Sequence, residues 1–235
     1  MIYPFYFDPT YTLVLIGVVL SLLASGRVKS TFAKYSGMRN TRGITGAEAA
    51  ERILHGAGIY DVRVEHVSGN LSDHYDPRSK VLRLSDSVYG QTSVAAVGVA
   101  AHECGHAIQH ASGYAPLKFR SVLVPIANFG AKIAWPLILI GLLFNSNSSF
   151  LLINIGIIAF SAAVLFQLVT LPVEYNASNR AIRIIADTGL MQGEEIKAAK
   201  KVLSAAALTY VASAATAILQ LLRIILLTGG RRRND

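Results

Sequence analysis

In the run His102-Glu103-Cys104-Gly105-His106, two histidines stand four residues apart with a glutamate beside the first. On an α-helix, positions four apart share a face, so both imidazoles can reach one metal ion. Glu103 is offset by one residue, which puts its carboxylate within reach of a water on that ion rather than the ion itself, as a general base requires. Zinc suits imidazole ligands. With an open position it lowers the pKa of a bound water towards roughly 7. The chain has six histidines in 235 residues, and a chance His-Glu-x-x-His in such a composition is expected on the order of once in a hundred sequences. The cofactor expected is one catalytic Zn2+.

Two imidazoles hold a catalytic zinc poorly, and the candidates for a third ligand are His110, Cys104, Glu174 and Asp187. His110 shares the face of His106 but lies about 6 Å further along the axis, which suits a core or surface histidine better. Cys104 points to the other side of the helix and is expected to pack. Glu174 opens the polar segment EYNASNRAIRIIADTG directly after an apolar run, where the chain returns to the side that carries the motif. Peptide hydrolysis also needs a donor for the tetrahedral oxyanion. Tyr210, His110 and Arg180 are candidates, and the sequence does not choose among them; for Tyr210 core packing is the plainer expectation. His74 and Asp76, with Asp73, suggest a second metal cluster, but no further histidine stands at helical spacing and a solvated turn is expected.

A helix must carry the motif, and one is expected from an N-cap at Ser93 to a stop at Gly113. Thr45 and Glu48 predict a capping box opening the helix GAEAAERILHG, which stops at Gly56. The runs YDVRVEHV and SKVLRLS read as strands, joined by a loop, GNLSDHYDPR, rich in turn formers. The small sheet so formed either supports the motif helix or offers an edge to an extended substrate.

Hydrophobic residues make up 52% of the chain and charged residues 15%, with a mean hydropathy of +0.44. That is too apolar for an average soluble domain and too interrupted by charge for a pure transmembrane bundle. Residues 11–25, extended by the aromatic start at 3–7, make a first span, and its basic residues follow the apolar run, unlike those of a signal peptide. Two more spans, one ending near Phe144 and one at residues 150–171, form a hairpin around NSNSS. Lys132 inside the first of these is expected to snorkel or mark a boundary. The expected organisation is a transmembrane helix at 1–26, a metallopeptidase part at 27–120, a transmembrane hairpin at 121–172 and a helical part at 173–235. The run 204–228 within the last part is a candidate fourth membrane helix, although packing on the cytoplasmic part is favoured. The fold class expected is an α-helical membrane protein with a small α+β, zincin-like cytoplasmic domain, mostly α with a short sheet beside the motif helix.

Basic residues flank the spans: Arg27, Lys29, Lys34, Arg39 and Arg42 after the first, Lys118 and Arg120 before the second, Arg180 and Arg183 after the third. The positive-inside rule puts these flanks, and the motif with them, in the cytoplasm. The single cysteine fits a reducing compartment. A net charge of +8 could signal nucleic acid, but the charges cluster at span ends without a nucleic-acid motif, so the bilayer is the expected partner. Arg231, Arg232 and Arg233 are expected at anionic headgroups. The substrate expected is a polypeptide, in or near a membrane.

HECGH, followed by an apolar hairpin and then Glu174-Tyr175-Asn176-Ala177-Ser178, resembles the gluzincin membrane peptidases related to the heat-shock protease HtpX. The chain is more closely similar to the bacterial neutral zinc metallopeptidases of the YugP type, with SDHYDP and AALTYVA as further shared pieces. The resemblance implies that His102, His106 and Glu174 bind zinc and that Glu103 is the catalytic base and acid. It also implies a bacterial cell membrane. The wider group usually carries aspartate where this chain has Ser178, a partner for a ligand histidine. Asn179, Asn176 or Asp187 are alternatives for that task. The function expected is a zinc-dependent membrane-bound endopeptidase. An intramembrane, site-2-like protease lacks its partner NPxG or LDG motif here. A non-catalytic zinc-stabilised adaptor would have no need of Glu103, and a lipid-surface module would leave the motif unexplained.

Overall fold

The computed structural model describes residues 8–144 and 147–229. The aromatic start at 3–7, the hairpin turn at 145 and 146, and Arg231 to Arg233 lie outside the described residues. Six helices and three strands follow in the order α1 (Tyr11–Ser36), α2 (Gly46–Gly56), β1 (Arg63–Val67), β2 (His74–Asp76), β3 (Val81–Ser85), α3 (Val94–Ala111), α4 (Ala115–Leu143), α5 (Asn147–Asp187) and α6 (Glu194–Gly229). Among the described residues the fold is mostly helical, with one small sheet. The chain divides into two compact units, an apolar one of residues 1–23, 119–170 and 210–235 and a second of residues 24–118 and 171–209.

The second unit is built around α3. Ser93 caps this helix by accepting the Ala96 N–H at 3.1 Å, and Gly113 follows its end at φ +64°. Thr45 and Glu48 form the expected capping box on α2, each accepting the other's main-chain N–H, at 3.2 and 2.8 Å. Ile53 and Leu54 of α2, Leu82 and Leu84 of β3, Val97 and Cys104 of α3 and Ile185 of α5 close one buried core. The sheet runs β1-β3-β2, with β1 parallel and β2 antiparallel to β3. β2 was not foreseen, because it lies in the segment read as a loop. Three residues among turn formers carry no period-2 signal, and β2 exists because β3 offers Tyr75 a partner at Leu82.

One glycine sets how closely α3 and α5 approach. A Cβ on Gly105 would lie 2.6 Å from the Ala177 carbonyl oxygen, so any side chain there would force the helices apart. Glu174 sits one turn before Ala177 and is thereby carried against the motif face.

In the apolar unit, α4 and the first part of α5 form an antiparallel hairpin with small residues at the seam. A Cβ on Gly141 would approach Ser149 O to 2.8 Å, one on Gly156 would approach Ala134 O to 3.0 Å, and Gly130 faces Ala159 O just as closely. Close approach at small residues is how helices associate in lipid. α1 and the last part of α6 also run antiparallel: Thr216 Oγ1 donates to Gly17 O at 3.1 Å, and Arg223 lies 4.0 Å from Asp8. From Tyr210 onward the run expected to pack on the metallopeptidase part therefore belongs to the apolar unit. Among the described residues, α1, α4, α5 and α6 are long and apolar enough to cross a membrane. Lys132, on α4, is exposed.

Candidate metal centre

α3 presents His102 and His106 one turn apart, with ring centroids 4.8 Å apart and planes at 86°. α5 brings Glu174 to them. Its Oε2 lies 3.3 Å from His102 Nε2 and 3.4 Å from His106 Nε2. Four ligands bound tetrahedrally at about 2.0–2.1 Å stand about 3.3 Å from one another, so these separations match two edges of a zinc tetrahedron. All three ligand atoms lie within 4.8 Å of one another, and the side chains are 13%, 13% and 3% exposed. The set of two imidazoles and one carboxylate fits zinc with a position left for water.

Burial pushes the Glu174 carboxyl up, but hydrogen bonds and charge from the two imidazoles outweigh it and hold it well below the carboxylate range. Burial pulls His106 down, yet Glu174 and Glu103 carry it above the ordinary imidazole value. The far ring nitrogens are also engaged. Ser178 Oγ lies 3.1 Å from His102 Nδ1, and Gln109 Oε1 lies 3.0 Å from His106 Nδ1. Ser178, one of the residues considered as a partner for a histidine of the motif, thus stands beside His102.

Glu103 is 9% exposed. Its Oε2 accepts the main-chain N–H of Tyr75 on β2 at 3.0 Å, which anchors the carboxylate. Asp73 lies in the same charge neighbourhood. Burial raises its carboxyl, the N–H and hydroxyl of Ser85 lower it, and Glu103 raises it again, for a net upward shift.

The other expected residues fall elsewhere. His110 Nδ1 meets the Tyr75 hydroxyl at 2.9 Å; burial and the nearby Asp61 and Asp76 push that hydroxyl up to about 12. Arg180 donates from Nε to Asn176 Oδ1 at 2.8 Å and lies over the Tyr114 ring at 5.8 Å. Asn179 is exposed. Asp187 closes α5, thirteen residues past Glu174 and so about 20 Å along the axis, which removes it as a ligand or ring partner. Tyr210 belongs to the apolar unit. Cys104 is buried and donates to Ala50 O at 3.6 Å. His74, Asp76 and Asp73 do not converge: His74 meets Ser72 O, Asp76 caps Arg78 and Ser79, and Asp73 binds Ser85. Two contributors escaped the sequence reading. Gln109 had a visible signal, three residues past His106 on the same helix, whereas the Tyr75 N–H had none because any residue carries it.

The family described as "Putative neutral zinc metallopeptidase" matches residues 10–229. The chain is 50% identical over 216 residues to the "Putative membrane protease YugP" of Bacillus subtilis (strain 168), covering 92% of this chain and 95% of that one. No solved structure matches. A match over nearly the whole chain, falling on a residue set that suits zinc, gives one conclusion: the chain belongs to the neutral zinc metallopeptidase family.

Proposed function

We propose that this protein is a zinc-dependent endopeptidase of the bacterial cell membrane, with His102, His106 and Glu174 as metal ligands and Glu103 as general base and acid. The observation that carries the reading is the placement of both Nε2 atoms at 3.3–3.4 Å from one Glu174 oxygen. Zinc, when bound, supplies a Lewis acid for the scissile carbonyl and a water of lowered pKa. Glu103 then takes a proton from the attacking water and returns it to the leaving amine. The Tyr75 N–H anchors the Glu103 carboxylate beside the two imidazoles. Four apolar helices support a membrane setting, and the basic flanks support a site facing the cytoplasm.

Purified full-length protein in detergent is to be assayed for bound zinc and for cleavage of casein. Glu103→Gln is expected to retain zinc and lose turnover by about 100-fold or more, and Glu174→Ala to lose zinc. Equal cleavage by wild type and Glu103→Gln, or a wild type that binds no zinc, would overturn the proposal.

A further inference from the structure

Gln109 is fully buried on α3, and its two ends face different chemistry. Its Nε2 lies 2.8 Å from the main-chain carbonyl of Val173 and 3.0 Å from Asn176 Oδ1. A carbonyl only accepts, so the NH2 end must be the one that faces Val173. Asn176 is fixed in the same way, because Arg180 Nε, which only donates, lies 2.8 Å from its Oδ1. With both amides oriented, Gln109 Oε1 is turned on His106 Nδ1 at 3.0 Å. An amide oxygen cannot donate, so the proton of a neutral His106 ring belongs on Nδ1. The lone pair is then on Nε2, the atom directed at Glu174.

We infer that Gln109 is a positioning residue that sets the tautomer and ring orientation of His106 for zinc, an inference that rests on the metallopeptidase reading above. The two ligand histidines are held differently. Ser178 beside His102 is a hydroxyl, which rotates to donate or accept and imposes no tautomer. Gln109 imposes one, and it is itself anchored to the main chain of the helix that supplies the third ligand. The chain Arg180, Asn176, Gln109, His106 therefore runs from α5 back to the metal position on α3.

The test compares zinc affinity of the full-length protein in detergent, by competition with a chromophoric chelator, for wild type, Gln109→Met and Gln109→Glu. Methionine keeps the volume and removes the acceptor, and affinity is expected to fall about 10–100-fold. Glutamate keeps an acceptor for the Nδ1 proton while losing the NH2 donors, and affinity is expected to fall only several-fold, clearly less than for methionine. Thermal midpoints of the metal-stripped variants give the second readout. Both substitutions remove the bonds to Val173 and Asn176, so a mere brace would lower midpoint and affinity together in both. Wild-type affinity in Gln109→Met, or an equal loss in Gln109→Glu, overturns the inference. Should Gln109→Met not fold, Asn176→Ala frees one of the two anchors. It is expected to weaken zinc binding several-fold, and unchanged affinity overturns the inference. A wild type that binds no zinc overturns the metallopeptidase reading and this inference with it; a zinc-binding wild type with an indifferent Gln109→Met overturns this one alone.

Discussion

Glu174 and His106 stabilise each other's charged forms, and that sets the pH behaviour of protein stripped of metal. His106 is raised above the ordinary imidazole value. Its contribution to stability is therefore complete below that value and is lost as pH rises through the raised one. Glu174 is lowered, so its contribution is present above the ordinary carboxylate value and fades only at strongly acidic pH. Metal-stripped protein should thus be most stable between these limits and lose stability on the alkaline side, whereas zinc-loaded protein should not, because zinc replaces the proton on His106. Thermal midpoints from pH 5 to 9, with and without zinc, check this; parallel curves would contradict it. At this scale His102, Glu103 and His106 were legible because type and spacing both point to chemistry. Glu174 was legible by its position after an apolar run and by the resemblance carried by EYNAS. The Tyr75 contact was not legible at all, since it uses a main-chain group that no side chain encodes.

Helices α3 and α5 meet at Gly105, and the separation of Glu174 from His102 and His106 follows from that approach. Gly105→Ala places a Cβ 2.6 Å from the Ala177 carbonyl oxygen, a rigid neighbour. We expect a loss of about 1–3 kcal/mol in stability from the forced separation, together with weaker zinc binding. Gly98→Ala, on the same helix, meets Ala199 Cβ at an ordinary 3.4 Å and is expected to leave zinc binding unchanged. Chelator competition and thermal unfolding of the two variants separate a local clash from a general intolerance of alanine in α3. The capped helices α2 and α3 were readable because Thr45, Glu48 and Ser93 carry start signals in their side chains. The continuity of α5 was harder to read. Pro172 and the switch from apolar to polar residues suggest an end, yet one helix of 41 residues runs through both. The edge strand β2 is too short to show a period.

The chain comprises an apolar unit and a unit carrying the candidate metal centre, and the proposed zinc binding would add to the stability of the second. Binding confined to the folded state stabilises it by about 4 kcal/mol when free zinc is a thousand times its dissociation constant. Removing the ion with a chelator should therefore open residues 24–118 and 171–209 to limited proteolysis. Fragments mapped by mass spectrometry would check it, and cleavage unchanged by chelation would argue against linkage of zinc to folding. Three of the four apolar helices and two of the three strands were readable from composition and pattern, whereas the grouping of α6 from Tyr210 onward with the apolar unit was not. Small and hydroxyl residues such as Thr216 are ambiguous in sequence and become a seam only against Gly17. The unit that holds the candidate centre is discontinuous in the chain, and this has a consequence during synthesis. A nascent polypeptide emerging from the ribosome completes HECGH long before residue 174. Until α4 and most of α5 have been made, it carries two imidazoles and no carboxylate to join them. Every truncation ending between residues 119 and 173 is accordingly expected to be inert, and an excised soluble version requires splicing Lys118 to Leu171.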